Sequence, residues 1–257
     1  MENLTLKKEN SVAIISINRP PANALSSNLI SEISSILDEI EHDQQIRSVI
    51  IRGEGRFFSA GADIKEFTQV KSGEEFSILA ERGQQTFDKI EKFPKPIIAV
   101  VHGAALGGGL ELAMACHLRL VSDTATLGLP ELQLGIIPGF AGTQRLPRLV
   151  GPAKAAEMML TSEPITGKEA VKWGLANKSF PEDELFEQGM VMAEKIAKKS
   201  PIVLRAVIEQ LQYTKTNQFD KGVKREAERF GTLFNTEDRK EGIQAFLEKR
   251  EPNFKGK

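Results

Sequence analysis

The sequence predicts an α/β protein: a layered core with largely parallel strands, followed by a region of helices only. Over roughly the first 180 residues, short β-branched and apolar runs alternate with helix-period patterns, so that strand and helix follow each other. Beyond them the pattern is helical, and breaks at Ser200-Pro201, near Thr216 and at Asn235-Thr236 give about four helices. We therefore divide the chain into a core, residues 1–195, and a C-terminal helical oligomerisation region, residues 196–257.

The elements follow from local patterns along the chain. Residues 4–8 and 12–17 predict a strand pair that two prolines end. Apolar residues at three- and four-residue steps then predict an amphipathic helix capped by Ser26 or Ser27. Further strands are expected at 46–52, 97–101, 118–122, 125–127 and 176–180, and further helices at 74–93, 152–160 and 166–173. Segment 129–151 is rich in turn formers and lacks periodicity, which predicts an irregular path around a surface or a pocket.

The composition is typical of a soluble globular protein and argues against several classes of function. Of 257 residues, 40% are hydrophobic and 27% charged, and the net charge is −1 with lysines and arginines spread along the chain, so no extended nucleic-acid surface is expected. The single cysteine, Cys116, excludes an intrachain disulfide, and His42, His102 and His117 lack the spacing of metal ligands. No apolar run approaches about 18 residues and the N-terminus lacks a signal or transit pattern, so we expect a cytoplasmic protein without a membrane span.

A glycine-rich turn at 103–109 follows the predicted strand 97–101 and opens a helix rich in Ala, Leu and Met. Unpaired N–H groups at such a helix start attract an oxygen that carries negative charge. The turn lacks GxGxxG spacing and no P-loop lysine follows it, which disfavours nucleotide binding, and no GxSxG nucleophile elbow occurs. A second glycine-containing loop, 53–67, follows the strand 46–52 and is the other candidate site.

Two glutamates, Glu111 and Glu131, lie in apolar sequence beside glycine-containing turns. A solvated surface explains such surroundings poorly. Two carboxylates that share an apolar pocket can hold a water between them, one taking its proton and the other delivering a proton to carbon. The pair therefore predicts acid/base chemistry next to a developing negative charge.

Three segments carry a resemblance to a known family: FFSAGADIKEF (57–67), HGAALGGGLELAMAC (102–116) and LPELQLGIIPGFAGTQRLPRLVG (129–151). In order and spacing they resemble the signature regions of the crotonase superfamily, most closely its enoyl-CoA hydratases, and the resemblance covers nearly the whole chain. It implies a crotonase-like spiral of repeated β-β-α units, a C-terminal α-helical trimerisation region, and a homo-oligomer that is a trimer or a dimer of trimers.

The resemblance also implies roles for individual residues. The backbone N–H groups of Ala62 and Gly108 match an oxyanion hole that holds the thioester oxygen of an acyl-CoA substrate. Glu111 and Glu131 match the two acid/base glutamates of the hydratases. The residues implied to bind substrate are Ala62, Asp63, Ile64, Lys65, Gly108 and Gly139, the last with its backbone close to the catalytic water.

Two further positions follow from the same resemblance. Lys249 resembles a lysine that reaches the CoA of an adjacent subunit. Phe140-Ala141 departs from the Ala-Gly of many hydratases, a change that bears on the width of the pocket and leaves the preferred acyl length open.

The reaction implied is the reversible syn addition of water across the C2=C3 double bond of a trans-2-enoyl-CoA thioester, giving 3-hydroxyacyl-CoA, as in fatty-acid β-oxidation. A helix start should favour the charged form of Glu111 as the base, while Glu131, after a proline in apolar sequence, should more readily stay protonated as the acid. Two carboxylates that share a water titrate as a pair, so the division into base and acid stays open. No metal or redox cofactor is required, because CoA arrives as part of the substrate.

Several alternatives stay open at this point. An enoyl-CoA isomerase or an acyl-CoA decarboxylase belongs to the same superfamily, and the presence of both Glu111 and Glu131 favours hydration over them. From another class, the chain is a non-catalytic acyl-CoA-binding protein or an RNA-binding relative. The paired glutamates argue against the first, and the near-neutral charge argues against the second.

Overall fold

The structure is a computed structural model that describes residues 1–214 and 218–257. The strands are β1 (Leu4–Glu9), β2 (Val12–Ile17), β3 (Ser48–Gly53), β4 (Ile97–Val101), β5 (Ala104–Leu106), β6 (Leu118–Ser122), β7 (Thr126–Gly128), β8 (Ile165–Thr166) and β9 (Lys178–Phe180). The helices are α1 (Ser27–Glu41), α2 (Ile64–Phe67), α3 (Gly73–Glu91), α4 (Gly108–Ala115), α5 (Gly142–Val150), α6 (Pro152–Thr161), α7 (Gly167–Lys172), α8 (Glu182–Ala197), α9 (Pro201–Tyr213), α10 (Phe219–Leu233) and α11 (Glu237–Glu248). The predicted break near Thr216 lies outside the described residues.

Within these residues, six strands form one sheet in the order β1-β2-β3-β4-β6-β9. The first pair is antiparallel, and every later neighbouring pair is parallel. A smaller sheet has the order β5-β7-β8, in which β5 and β7 are parallel and β8 is antiparallel to β7. The predicted α/β fold with largely parallel pairing is confirmed.

Apolar side chains cover both faces of the larger sheet because the pleat sends neighbouring residues to opposite sides. Ile14, Ile50 and Ile98 are in register across β2, β3 and β4 and pack against α8. Their neighbours Ile15 and Ile51 face the other side, in the core that includes α1, α3 and α4. Helix α4 is buried along its whole length, so the core holds the backbone and side chains of its first turn in place.

Segment 129–151 contains the nine-residue helix α5, so the prediction that this segment follows an irregular path is wrong for its second half. This helix begins after Ala141, has no side-chain cap at its start and contains Pro147, so the usual signals of a helix start are missing. Strands β5 and β8 and helix α2 are absent from the predicted elements because each is too short to show a period.

The C-terminal region is helical, as predicted. The division after residue 195 falls inside α8, which packs on the larger sheet, and the division itself stays a prediction. Large apolar side chains are exposed on α10 and α11: Phe219, Val223, Phe230, Ile243, Phe246 and Leu247. No helix in residues 1–214 or 218–257 is long and apolar enough to cross a membrane.

Candidate active site

The turn between β5 and α4 presents an unpaired backbone amide. Gly107 adopts φ +50°, which a residue with a side chain rarely does, and donates its own N–H to the Gly128 carbonyl at 2.9 Å. Gly108 is the first residue of α4, a position whose N–H has no acceptor within the helix. The sequence builds this turn because only glycine fits both its backbone angle and its close contacts.

The loop after β3 brings a second amide to the same place. Ser59 pairs with Ala105 as an isolated β-bridge, and Ala62 pairs in the same way with Leu25. The first bridge fixes the loop against β5, the strand that leads into the α4 turn, and the second fixes it against the segment before α1. A Cβ added to Gly108 would lie 3.3 Å from the Ala62 nitrogen. Across the described residues, neither the Ala62 N–H nor the Gly108 N–H donates a hydrogen bond. Two adjacent unpaired donors are what an oxyanion requires.

Glu111 lies one turn into α4 and is 1% exposed. Its Oε1 accepts hydrogen bonds from the N–H groups of Phe140, at 2.8 Å, and Gly142, at 2.6 Å. Burial and the nearby charge of Glu131 raise the pKa of Glu111 to about 8, although the two amides and the positive charge of Arg145 act in the opposite direction. The expectation that the helix start keeps Glu111 charged is therefore wrong in direction, because burial outweighs the field of one helix end.

Glu131 opens the short 3-10 helix Glu131–Leu134 and is 9% exposed. Its Oε1 faces the α4 turn, since a Cβ on Gly107 would lie 2.8 Å from it. Its Oε2 is buried and, within the described residues, makes no hydrogen bond. Burial raises the pKa of Glu131 above its ordinary value, opposed by a hydrogen bond from its own backbone N–H. The structure thus brings the two predicted glutamates together, both with raised pKa values.

Residue Arg145 holds the turn that binds Glu111, and nothing in the sequence singled it out. Its guanidinium is buried on α5, donates to the Phe140 carbonyl at 2.8 Å and forms an ion pair with Glu91 at 3.1 Å. The amides that orient Glu111 and the carbonyl that Arg145 holds belong to the same turn. The role depends on a partner more than 50 positions away in the chain, a distance over which local sequence carries no signal.

The other predicted binding residues lie around this centre. Asp63 caps α2 and forms an ion pair with Arg19 at 2.6 Å. Burial opposes ionisation of Asp63, but bonds from Arg19 and from the Lys65 amide hold its pKa below the ordinary value. Ile64 and Lys65 are exposed on α2. They lie two and three positions after Ala62, whose N–H is one of the two unpaired amides.

Gly139 and Lys249 are placed differently. Gly139 is half-buried in the turn before α5, where its carbonyl accepts a hydrogen bond from Gln84 Nε2 at 2.8 Å. Lys249 is exposed at the end of α11 in a left-handed conformation, φ +55°. Its proposed contact with CoA on an adjacent subunit stays a prediction.

Two buried carboxyl groups beside two unpaired amides can move protons while negative charge develops on a carbonyl oxygen, which defines an acid/base catalyst of carbonyl compounds. The family model described as enoyl-CoA hydratase/isomerase matches residues 7–257. The chain therefore belongs to the enoyl-CoA hydratase/isomerase family, within the crotonase superfamily.

Individual relatives agree with this assignment. A probable enoyl-CoA hydratase from Bacillus subtilis (strain 168) is 58% identical over 257 residues, 100% of both chains. A short-chain-enoyl-CoA hydratase from Clostridium acetobutylicum is 41% identical over 97% of this chain and 96% of its own. The crystal structure of an enoyl-CoA hydratase from Bacillus anthracis matches with a TM-score of 0.95 at 39% identity, covering 99% of this chain and 100% of that chain. The predicted crotonase-like fold is confirmed by these matches.

Proposed function

We propose that this protein is an enoyl-CoA hydratase that adds water reversibly and syn across the C2=C3 bond of trans-2-enoyl-CoA thioesters. The observation that carries the proposal is the pair of buried carboxyl groups, Glu111 and Glu131, beside the unpaired amides of Ala62 and Gly108. Membership of the enoyl-CoA hydratase/isomerase family supports it.

The two amides stabilise the charge that hydration creates. When water attacks C3, electron density moves through C2 to the thioester oxygen, which becomes an enolate oxygen. Donors from Ala62 and Gly108 would meet that oxygen without reorganisation, because a β-bridge to Leu25 fixes the backbone of Ala62 and Gly108 is the first residue of the buried helix α4. One well-placed donor in a dry site contributes about 3 to 4 kcal/mol to such a step.

The carboxyl pair supplies the proton balance. Burial raises the pKa of both carboxyls, and two carboxyls this close share a proton more readily than they ionise together. The ionised carboxyl takes a proton from the water whose oxygen bonds to C3, and the protonated carboxyl gives its proton to C2. After one turnover the proton is on the carboxyl that acted as base. Its transfer to the other carboxyl, or exchange with solvent, restores the starting state for the next turnover.

The proposal extends to the cofactor requirement, the oligomeric state and the cellular location of the enzyme. CoA is part of the substrate, and the balance of atoms in hydration calls for no metal or redox cofactor. The exposed apolar side chains of α10 and α11 support a homo-oligomer, a trimer or a dimer of trimers, which light scattering tests. We place the enzyme in the cytoplasm, in fatty-acid β-oxidation.

The test follows the loss of conjugated-thioester absorbance with crotonyl-CoA. We expect turnover by the wild type and at least about a hundredfold loss of kcat in Glu111→Gln and in Glu131→Gln. Glu187→Gln on the exposed side of α8 is the matched control and should retain wild-type activity. An inactive wild type, or full activity in both active-site variants, would contradict the proposal. Conversion of a 3-enoyl thioester to the 2-enoyl isomer without hydration would instead identify an isomerase.

A further inference from the structure

We propose that Asn23 is a positioning residue of the site, because it fixes the peptide unit whose N–H, that of Ala62, is one of the two proposed oxyanion donors. The inference rests on the proposed function and adds a residue from a third segment of the chain. Asn23 lies between β2 and α1 and is 3% exposed. A buried amide side chain needs partners for its NH₂ group and its oxygen, and here all of these partners are main-chain atoms.

The direction of the Ala62 N–H is set by a hydrogen bond on the other side of the same peptide unit. The Gly61 carbonyl accepts from the Leu25 N–H at 2.8 Å, and the Asp63 N–H donates to the Leu25 carbonyl at 3.0 Å. In a trans peptide the C=O and the next N–H point in opposite directions, so the bond to Gly61 turns the Ala62 N–H away from Leu25. The same bond polarises the peptide unit and makes its N–H a stronger donor.

The side chain of Asn23 anchors the stretch that carries Leu25 to the loop after β3. It makes three hydrogen bonds: Nδ2 donates to the carbonyls of Glu54 at 2.9 Å and Phe57 at 2.7 Å, and Oδ1 accepts from the Arg19 N–H at 2.8 Å. Two carbonyl oxygens can accept only from the NH₂ group, so these partners also fix which way the amide points. Because Leu25 is two positions after Asn23, the three bonds hold the backbone that supplies the Leu25 N–H.

A second connection runs through the buried hydroxyl of Ser59. Its Oγ donates to the Asn23 carbonyl at 2.8 Å and accepts from the Gly61 N–H at 3.3 Å. The backbone of Ser59 joins the loop to β5, through bonds with the Ala104 carbonyl and the Leu106 N–H, both at 3.1 Å. Strand β5 leads into the turn that carries the second amide, so Asn23 and both proposed oxyanion donors belong to one hydrogen-bonded network.

The backbone conformation of Asn23 determines which substitutions test its side chain. Its φ is +52°, a value that asparagine and glycine adopt more readily than most residues. Glycine keeps this conformation but removes all three side-chain bonds, whereas aspartate keeps the acceptor and loses both donors. Asn10, in the turn between β1 and β2, is exposed and has φ +49°, so Asn10→Gly is the matched control.

The first measurement is the hydration of crotonyl-CoA by the wild type, Asn23→Gly, Asn23→Asp, Ser59→Ala and Asn10→Gly. We expect kcat to fall at least about tenfold in both Asn23 variants, with a smaller change in KM. The reason is that a misplaced amide stabilises the transition state less but leaves most of the binding of the substrate unchanged. Ser59→Ala should show a smaller loss in the same direction, and Asn10→Gly should match the wild type.

The second measurement reports on the amides directly and uses acetoacetyl-CoA. This 3-oxoacyl thioester loses a proton from C2 and gives an enolate, whose near-ultraviolet absorbance is followed against pH. Two amide donors stabilise the enolate oxygen and so favour ionisation of the bound thioester. We expect the equilibrium constant for forming the bound enolate to fall about tenfold in both Asn23 variants and to be unchanged in Asn10→Gly. A loss of stability alone would leave this constant at the wild-type value.

Three outcomes would overturn the inference: folded Asn23 variants with the wild-type kcat, a lowered kcat with an unchanged enolate constant, or an equal loss in Asn10→Gly. If neither Asn23 variant folds, Ser59→Ala decides, and wild-type values in both of its measurements overturn the inference. A wild type that does not hydrate crotonyl-CoA contradicts the proposed function instead. The enolate constants then still test Asn23, because they do not depend on hydration.

Discussion

Replacing Glu111 by glutamine should abolish turnover and at the same time stabilise the folded protein at alkaline pH. The folded protein keeps a proton on Glu111 up to about pH 8, whereas the unfolded chain releases it near 4.5. The free energy of unfolding contributed by this group is therefore intact below pH 4.5 and falls as the pH rises from there to about 8. Glutamine does not titrate and escapes this loss.

The size of the effect follows from the two pKa values. Each pH unit between 4.5 and about 8 corresponds to about 1.4 kcal/mol, so the variant gains at most about 5 kcal/mol at pH 8 relative to the wild type. Its side-chain carbonyl can still accept the hydrogen bonds from Phe140 and Gly142. At pH 5 the two proteins should differ by less than about 1 kcal/mol.

Urea unfolding at a fixed protein concentration from pH 5 to pH 8 measures the difference. Glu187→Gln serves as the control and should follow the wild-type pH profile. If the stability difference between Glu111→Gln and the wild type stays constant across this range, burial does not hold a proton on Glu111. If the variant instead loses stability relative to the wild type as the pH rises, folding lowers the pKa of Glu111 rather than raising it.

Substitutions at three further positions test the turn before α5 and the proposed oxyanion amides. Ala141→Gly should raise the free energy of unfolding by up to about 1 kcal/mol, because Ala141 has φ +71° in the left-handed region; a lower urea midpoint would contradict this. Arg145→Gln should lower kcat at least about tenfold, with a smaller change in KM. It should also shift the pH profile of kcat to higher pH, because the variant loses a positive charge that lowers the pKa of Glu111. Partial rescue by Arg145→Lys would support a positioning role, and an unchanged pH profile would refute it. Gly108→Ala should reduce kcat about tenfold or more, because its Cβ would lie 3.3 Å from the Ala62 nitrogen; unchanged kinetics would place the oxyanion elsewhere.

The sequence predicted those parts of the fold that depend on local periodicity. Strands β2, β4 and β6 have the bounds expected from their apolar runs, and α1 begins after Ser26, one of the two proposed caps. Helix α5 was not predicted, because its start is held by tertiary contacts of Arg145 and Glu111 rather than by a cap. Local composition carries no trace of such contacts.

The sequence predicted that Glu111 and Glu131 lie together, but it did not predict the raised pKa of Glu111. Glycine-containing turns and apolar neighbours pointed to Glu111 and Glu131, and the structure places these residues together. The charge on Glu111 was inferred from its helix position, which is a local property. Its pKa is set mainly by burial and by Glu131, which only the folded chain brings near. Arg145 was missed for the same reason.

The two proposed oxyanion donors are main-chain amides, and this affects how the protein tolerates mutation. A substitution at Ala62 changes a side chain but leaves the N–H in place, since the β-bridge to Leu25 fixes the backbone. A genetic screen for inactive variants should therefore recover few hits among polar residues of these loops. The hits should instead gather at glycines such as Gly107 and Gly108, where an added Cβ deforms the main chain. Within these two loops, the positions most sensitive to substitution would be those that carry no functional group at all.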